Sequence, residues 1–382
     1  MNDSAGLERQ VTEWLHSRAT ADGMEEVLAV SLARAAQVSQ ERPRATRWLP
    51  VRRPYLRPVI AATAVAVAVM VVAVSSIPPL PKAASARVTG VWPTGPDVVF
   101  TAMLPPGAPP DIYWRAVAYD TWSSVDRGWL ASDQTVTPVD AGSSILDVVS
   151  EPHSGDADEI SVSIVPKQAG TIVVAPGLVV TVDQAAQIGT SGPGGPLVQV
   201  ALAHPSPSYR VTAIDPLAAT ATQLAGAGRD YPSDIRERYA GTPDPREFGP
   251  ASTAFIRAID DVAGDDPYLV ATRIVDAFQD PRFTYATDTR NVDCGADGFT
   301  ECFLRVKRGY CMYYATAMVM LLRHEGIPAR FVEGFLPGER VGMQETVRTQ
   351  DAHAWVEVYF PRFGWVTFDP TPRGTPQVSA GS

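Results

Sequence analysis

A run of twenty residues without a charged side chain, residues 58–77, divides this 382-residue chain into two unequal parts. At about 1.5 Å per residue, a helix of that length covers roughly the 30 Å hydrocarbon core of a bilayer. A signal peptide would have a shorter apolar run nearer the N-terminus, and a buried soluble helix would rarely be so long. The run therefore predicts one transmembrane helix.

The charges that flank this run predict its orientation. Six arginines and a single acidic residue, Glu41, lie between residues 41 and 57, whereas only Lys82 and Arg87 follow the run closely. Under the positive-inside rule, residues 1–57 lie in the cytoplasm and the rest of the chain lies outside. Residues 5–40 show helical spacing of apolar side chains. This cytoplasmic helical segment is either a docking element for a cytoplasmic partner or a solvated arm.

The composition excludes one class of partner. The formal net charge is −10 and no lysine-rich stripe or glycine-rich phosphate loop is present, which argues against binding of nucleic acid or nucleotide. An apolar content of 45% in a chain of this length is enough for two globular domains with their own cores.

The residues after the predicted transmembrane helix form two regions with different sequence patterns. A Pro/Ala-rich stalk at 78–86 leads into 87–216, where short alternating segments bounded by Gly/Pro turns predict a β-sandwich-like domain. Residues 217–373 begin with helical segments, including one at 266–280 that Asp266 can cap, and end with strands. This second domain is predicted to be α+β, and a short tail at 374–382 follows it.

The second domain contains a cysteine at a predicted helix start. The segment CMYYATAMVMLLRHEGIPAR begins at Cys311, keeps helical spacing of apolar residues, and meets a Gly and a Pro that end a helix. The first amide N–H groups of a helix are unpaired and the dipole is positive there. Both features favour the nucleophilic thiolate and can stabilise a developing oxyanion.

A hairpin farther along supplies a base and an acid. DAHAWVEVYF places His353 and Trp355 on one strand face, and GWVTFDPT carries Asp369 on the next strand. His353 and Asp369 are both eight residues from Pro361, so a symmetric hairpin sets them directly opposite each other. Asp369 would then orient His353, which would activate Cys311 for attack on a carbonyl. From the residues alone, a core cysteine and a sheet histidine without catalytic roles remain the alternative.

These same segments resemble a known family. RGYCMYYATAMVMLLRHEGIPARFVEGFLPGE followed by DAHAWVEVYFPRFGWVTFDPTP looks like the core of the bacterial transglutaminase-like superfamily, and the likeness extends over roughly 228–373. It implies a papain-like layout, in which a nucleophile helix packs on an antiparallel sheet, with Cys311, His353 and Asp369 as the catalytic triad. YWRAVAYDTW at 113–122 also resembles a strand of the β-domain found in membrane-bound bacterial members.

Other residues are weaker candidates. The stretch FTY resembles a family segment before the nucleophile, which implies that Tyr285 lines the site, and Trp355 is a second substrate-site candidate beside His353. Cys294 and Cys302 lie on the predicted exported side, where they form either a disulfide or two free thiols. No metal site and no cofactor is predicted, because no Cys/His pairs at ligand spacing and no calcium loop occur.

The predicted reaction is acyl transfer through a thioester, from protein or peptide amides, including those of peptides linked to the cell wall. An amine acceptor would make the protein a transglutaminase, and water would make it a cysteine peptidase or amidase of the envelope. A third possibility is a catalytically idle scaffold or binding module that retains the fold.

Overall fold

A computed structural model describes residues 86–88, 90–131, 134–152, 159–214, 219–241 and 243–372 of the chain. The predicted cytoplasmic segment, the transmembrane helix at 58–77, nearly all of the stalk and the tail lie outside these residues. Among the helices inside them, none is both long and apolar enough to cross a bilayer.

Short strands dominate the part of the chain before residue 215, as the alternating texture predicted. Their bounds are β1 Ala86–Arg87, β2 Val98–Met103, β3 Trp114–Tyr119, β4 Thr121–Ser123, β5 Gly128–Leu130, β6 Gln134–Val139, β7 Glu159–Pro166, β8 Gly170–Ile172, β9 Leu178–Val182, β10 Ala186–Ser191, β11 Leu197–Ser206 and β12 Tyr209–Ile214.

Helices follow and strands close the chain, which is the predicted α+β order. The helices are α1 Ala221–Ala225, α2 Ser233–Tyr239, α3 Pro250–Ala263, α4 Pro267–Phe278, α5 Phe299–Val306 and α6 Cys311–His324. The later strands are β13 Thr284–Tyr285, β14 Arg308–Gly309, β15 Ala329–Phe335, β16 Glu339–Val341, β17 Gln344–Arg348, β18 Ala352–Phe360 and β19 Gly364–Phe368. The Asp266 side chain caps α4 by accepting from the N–H groups of Tyr268 and Leu269, as expected.

Two sheets share the largest apolar core. One has the order β16-β17-β2-β7-β12-β9 and the other β6-β10-β11-β8. Phe100, Ile164 and Val211 from the first sheet belong to the same buried cluster as Ile188 and Val200 from the second. Burying the apolar face of each sheet against the other is the usual arrangement of a β-sandwich.

The sheet that carries the C-terminal hairpin has the order β19-β18-β15-β3. Helix α6 contacts β15 and β18 of this sheet, and its Thr316 hydroxyl accepts a 2.9 Å hydrogen bond from the indole Nε1 of Trp129 in β5. Every residue of β18 is buried, so this strand lies in the interior and holds its side chains in fixed positions.

Two sheets cross the domain boundary that was predicted after residue 216. Strand β3 pairs antiparallel with β15 of the hairpin sheet, and β17 pairs antiparallel with β2 of the sandwich. The β-rich part and the α+β part therefore share backbone hydrogen bonds instead of following each other as separate blocks. Strand pairing over more than two hundred residues has no signature in local periodicity, which is why the sequence did not reveal it.

Candidate active site

Cys311 is the first residue of α6, where the sequence placed it. Tyr310 is the N-cap with extended backbone, and residues 311–323 of the helix are buried throughout. The helix ends before Gly326, whose φ of +68° is accessible to glycine at little cost. The Cys311 side chain is fully buried and its thiol is free. Its position at the helix start brings the unpaired amide N–H groups of the first turn next to sulfur.

The hairpin brings His353 and Asp369 together, but in a different register from the predicted one. Phe360 pairs with Gly364 and Val356 with Phe368, so the hairpin is centred on Arg362 and not on Pro361. Continued by one residue, this register sets Asp369 against Trp355, and His353 lies on the diagonal. Diagonal neighbours on one sheet face remain within reach of long side chains. The prediction of a directly opposed pair was therefore wrong by two residues.

The diagonal pair is nevertheless hydrogen-bonded. His353 Nε2 lies 2.9 Å from Asp369 Oδ2, and the His353 side chain is only 5% exposed. Burial alone would lower the pKa of His353, but the Asp369 charge and hydrogen bonds to Asp369 and Cys311 raise it to about 10. Burial likewise opposes ionisation of Asp369, yet the His353 charge and three hydrogen-bond donors keep its pKa below the ordinary value. The pair thus favours an imidazolium beside a carboxylate.

Cys311 and His353 face each other in this arrangement. The Cys311 side chain acts on His353 both as a hydrogen-bond partner and as a nearby charge. Since Nε2 is bonded to Asp369, Nδ1 is the ring nitrogen left for the thiol. The order of contacts is therefore sulfur, imidazole and carboxylate, which is the order that proton transfer to and from a thiol requires.

Tyr285 lies beside the nucleophile. Strand β13 pairs in parallel with β14, and this pairing sets Tyr285 next to Gly309, two residues before Cys311. The Tyr285 hydroxyl is hydrogen-bonded to the backbone and side chain of Cys311. Burial first, and then the Cys311 charge, raise the pKa of Tyr285, so its hydroxyl stays protonated and can donate.

Trp355 is buried beside His353, so it lines the site and is not an exposed contact residue. It is 1% exposed, its ring stacks on His353 at a centroid distance of 6.5 Å, and it meets the Tyr113 ring edge to face at 5.3 Å. Its indole Nε1 has no hydrogen-bond partner among the described atoms. Tryptophan nitrogens usually find a partner when buried, so this one is an available donor.

Tyr113 is a site residue that sequence reasoning missed. It precedes β3, and its hydroxyl donates a 2.8 Å hydrogen bond to Asp369 Oδ2, the same oxygen that contacts His353. The backbone N–H of Thr371 donates to the other oxygen, Oδ1, at 3.0 Å. Tyr113 is 256 residues from Asp369, so motif spacing could not connect them.

The remaining two cysteines form a disulfide. Cys294 and Cys302 are bonded with a Cα–Cα distance of 5.1 Å, and Cys302 belongs to α5. Cys311 is thus the single free thiol of the three cysteines. Within the residues that the structure covers, no group of three or more His, Cys, Asp or Glu side chains could hold a metal ion.

A groove runs along the sheet face that carries His353. It encloses about 470 Å³, including the space at its open mouth. Trp355, Glu357 and Thr367 of the hairpin form one wall, and residues of the β-rich part form the other: Pro109, Asp111, Ile112, Tyr113, Arg115, Pro176 and Gly177. Tyr113 and Trp355 bring this groove up to the His353–Asp369 pair.

A cysteine at a helix start, with a histidine and a carboxylate on the adjoining antiparallel sheet, is an arrangement suited to enzymes that use a thiol nucleophile. Residues 258–370 match the model of the transglutaminase-like superfamily. The chain therefore contains a transglutaminase-like domain, as the resemblance of its motifs indicated.

Two bacterial proteins are similar to parts of this chain. The chain is 33% identical over 151 residues to a protein-glutamine gamma-glutamyltransferase of Pseudomonas aeruginosa, a match that covers 39% of this chain and 22% of that protein. It is 45% identical over 96 residues to the uncharacterized protein YebA of Bacillus subtilis, covering 23% and 13%. The chain thus spans less than a quarter of either relative.

Among solved structures, the periplasmic domain of TgpA from Pseudomonas aeruginosa is similar in fold. The match has a TM-score of 0.55 and 24% sequence identity, and it covers 72% of this chain and 88% of that domain. It extends well beyond the 258–370 segment, so the similarity in fold includes much of the β-rich part as well.

Proposed function

We propose that this protein is a thiol acyltransferase of the transglutaminase type, with Cys311 as nucleophile, His353 as acid and base, and Asp369 as the residue that orients His353. The observation that carries the proposal is the continuous contact from the Cys311 thiol through His353 to Asp369 at the start of a buried helix. The name of the Pseudomonas aeruginosa relative, a protein-glutamine gamma-glutamyltransferase, supports glutamine side chains as acyl donors.

The first half-reaction forms a thioester. The Cys311 thiolate attacks the carboxamide carbon of a glutamine, and the oxygen becomes negatively charged. Amide N–H groups at the start of α6 and the protonated Tyr285 hydroxyl lie beside sulfur, where they can donate to this oxyanion. The His353 imidazolium then gives its proton to the leaving nitrogen, so that ammonia departs and the acyl group stays on sulfur.

The second half-reaction returns the enzyme to its starting state. A primary amine attacks the thioester while neutral His353 takes the proton of the amine, and the Cys311 thiolate leaves. Water in place of the amine would give a carboxylate, which is the peptidase or amidase outcome.

We further propose that the reaction takes place outside the cytoplasm, from a membrane anchor at 58–77. The charge asymmetry around that run supports this orientation. The Cys294–Cys302 disulfide supports an oxidising compartment, since such bonds persist mainly in exported proteins. Envelope proteins and peptides linked to the cell wall are then the accessible substrates.

The test is amine incorporation by the full chain in detergent, beside Cys311→Ala. A fluorescent primary amine and a glutamine-rich protein are supplied, and labelling, fragmentation and ammonia release are followed in the same tubes. Labelling with ammonia release that depends on Cys311 supports the transferase. Cleavage or ammonia release without labelling would replace it by a hydrolase, and no Cys311-dependent signal in any channel would favour a scaffold.

A further inference from the structure

We propose that Tyr113, a residue of the β-rich part, is a positioning residue of this active site that orients Asp369 and, through it, His353. The inference rests on the proposed function, because it assigns Tyr113 a part in the same chemistry. It adds to the transglutaminase-like segment a residue that lies far outside residues 258–370.

The hydrogen bonds at Asp369 are the first argument. Thr371 N–H holds Oδ1, while Oδ2 accepts from both Tyr113 Oη at 2.8 Å and His353 Nε2 at 2.9 Å. Donors on both oxygens prevent the carboxylate from turning about its last bond. Without the Tyr113 hydroxyl, Oδ2 would keep only the His353 contact, so the carboxylate and the imidazole could shift together.

The backbone that carries Tyr113 is the second argument. Strand β15 pairs with β3 on one side and β18 on the other, and Gly334 of β15 is opposite both Arg115 and His353. Tyr113 precedes β3 by one residue, so this pairing fixes its Cα relative to the strand of His353. A side chain at Gly334 would collide with the Trp114 carbonyl oxygen, so the close approach of β3 and β15 requires glycine there.

The packing of the ring is the third argument. The Tyr113 ring lies edge to face on Trp355 at 5.3 Å and tilted against His353 at 6.3 Å. The Tyr113 ring therefore packs against the sheet that carries His353, and it also forms part of the groove wall. A substrate in that groove would touch the ring that holds Asp369.

The hydroxyl also has a predictable electrostatic effect. Its O–H withdraws charge from the oxygen that faces His353, so its removal leaves a stronger acceptor and His353 keeps its proton to higher pH. The other described titratable groups that act on this pair are Cys311 on α6 and Tyr285 on β13. A role limited to packing would not move the titration of His353.

The experiment compares Tyr113→Phe with Tyr119→Phe in the full chain. Tyr119 lies on β3 and donates a 2.9 Å hydrogen bond to the buried Glu333, so its variant loses an equivalent bond to a carboxylate other than Asp369. Cys311 is the one free cysteine, so its alkylation by iodoacetamide can be followed by intact mass across pH. This readout needs no acyl transfer. The rate should show an upper inflection, on the alkaline side, where His353 loses its proton.

In Tyr113→Phe the upper inflection should move to higher pH, and in Tyr119→Phe it should stay. In amine incorporation, kcat of Tyr113→Phe should fall roughly tenfold to a hundredfold with KM nearly unchanged, the size of a lost hydrogen bond to a charged group. An unmoved inflection, or equal effects of both variants, would overturn the inference even if amine incorporation is confirmed. A shift without any incorporation by the wild type would support Tyr113 and contradict the transferase.

Discussion

Two clusters of polar and charged side chains lie along the buried face of β18. They differ in how completely their hydrogen bonds are satisfied, and this difference distinguishes a reactive site from a structural one. The cluster that we propose to be catalytic, called the catalytic cluster below, consists of Cys311, His353, Asp369 and Tyr113. The structural cluster consists of Arg115, Glu151, Arg330 and Glu357, all at most 6% exposed. His353 and Glu357 are four residues apart on the same strand face, so similar burial and similar backbone serve both.

The structural cluster is closed. Arg115 Nε lies 3.0 Å from one oxygen of Glu357, Arg330 Nε lies 2.6 Å from the other, and Arg330 Nη1 lies 3.1 Å from Glu151. The Leu197 backbone completes it, because its carbonyl accepts from Arg115 and its N–H donates to Glu151. In the catalytic cluster, by contrast, one imidazole nitrogen is left for a thiol and the Asp369 side chain is 22% exposed. A closed cluster holds the β-rich part on the catalytic sheet, whereas an open one can exchange protons.

The largest expected effect on activity is that of His353→Ala, which tests whether the catalytic cluster is needed for the reaction and not for the fold. Acyl transfer should fall by roughly 10³-fold or more, because both proton transfers are lost. The free energy of unfolding at pH 7 should fall by less than it does in Glu357→Gln, since Tyr113 and Thr371 still satisfy Asp369. Kinetics and denaturant unfolding on the same preparation check this, and a collapse of stability would show that the catalytic cluster also supports the fold.

Glu357→Gln should give the opposite pattern. Two buried arginines lose their shared carboxylate, and breaking a buried pair costs about 3–5 kcal/mol of unfolding free energy. Activity per folded molecule should change little. Glu339→Gln is the matched control, since its pair with Arg348 is exposed and worth about 1 kcal/mol or less. Equal destabilisation by the two variants would contradict the supporting role of the structural cluster.

Local signals predicted much of the catalytic cluster. The helix start at Cys311 and the cap at Asp266 follow from residue types within a few positions. The hairpin was also recognised, but its register depended on the loop. Arg362 and Gly364 both adopt positive φ, at 74° and 75°, and this three-residue loop moves the centre of the hairpin by one residue. Residue types such as Pro361-Arg362 do not specify that choice.

Long-range contacts account for what the sequence did not reveal. Arg115 is 242 residues from Glu357, and Arg330 is 179 residues from Glu151. A buried arginine cannot be told from an exposed one by spacing, because its partner is far away in the sequence. The same holds for Tyr113, which lies in a segment that resembled a β-domain strand and carried no catalytic pattern. The transmembrane helix at 58–77 stays a prediction, because it lies outside the described residues.

The smallest expected effect is a difference between the two clusters in how their contribution to stability depends on pH. The folded pKa of His353, about 10, is raised above its ordinary value of 6.5, so its contribution to stability is complete below about 6.5 and is lost as pH rises through about 10. The gap in unfolding free energy between wild type and His353→Ala should therefore narrow as pH rises from 7 to about 10.5. The gap for Glu357→Gln should persist over that range, because the pKa of Glu357 is lowered and its charge does not change there. Denaturant unfolding of wild type, His353→Ala and Glu357→Gln at each pH measures both gaps. If the two gaps changed with pH in the same way, the two clusters would not be independent.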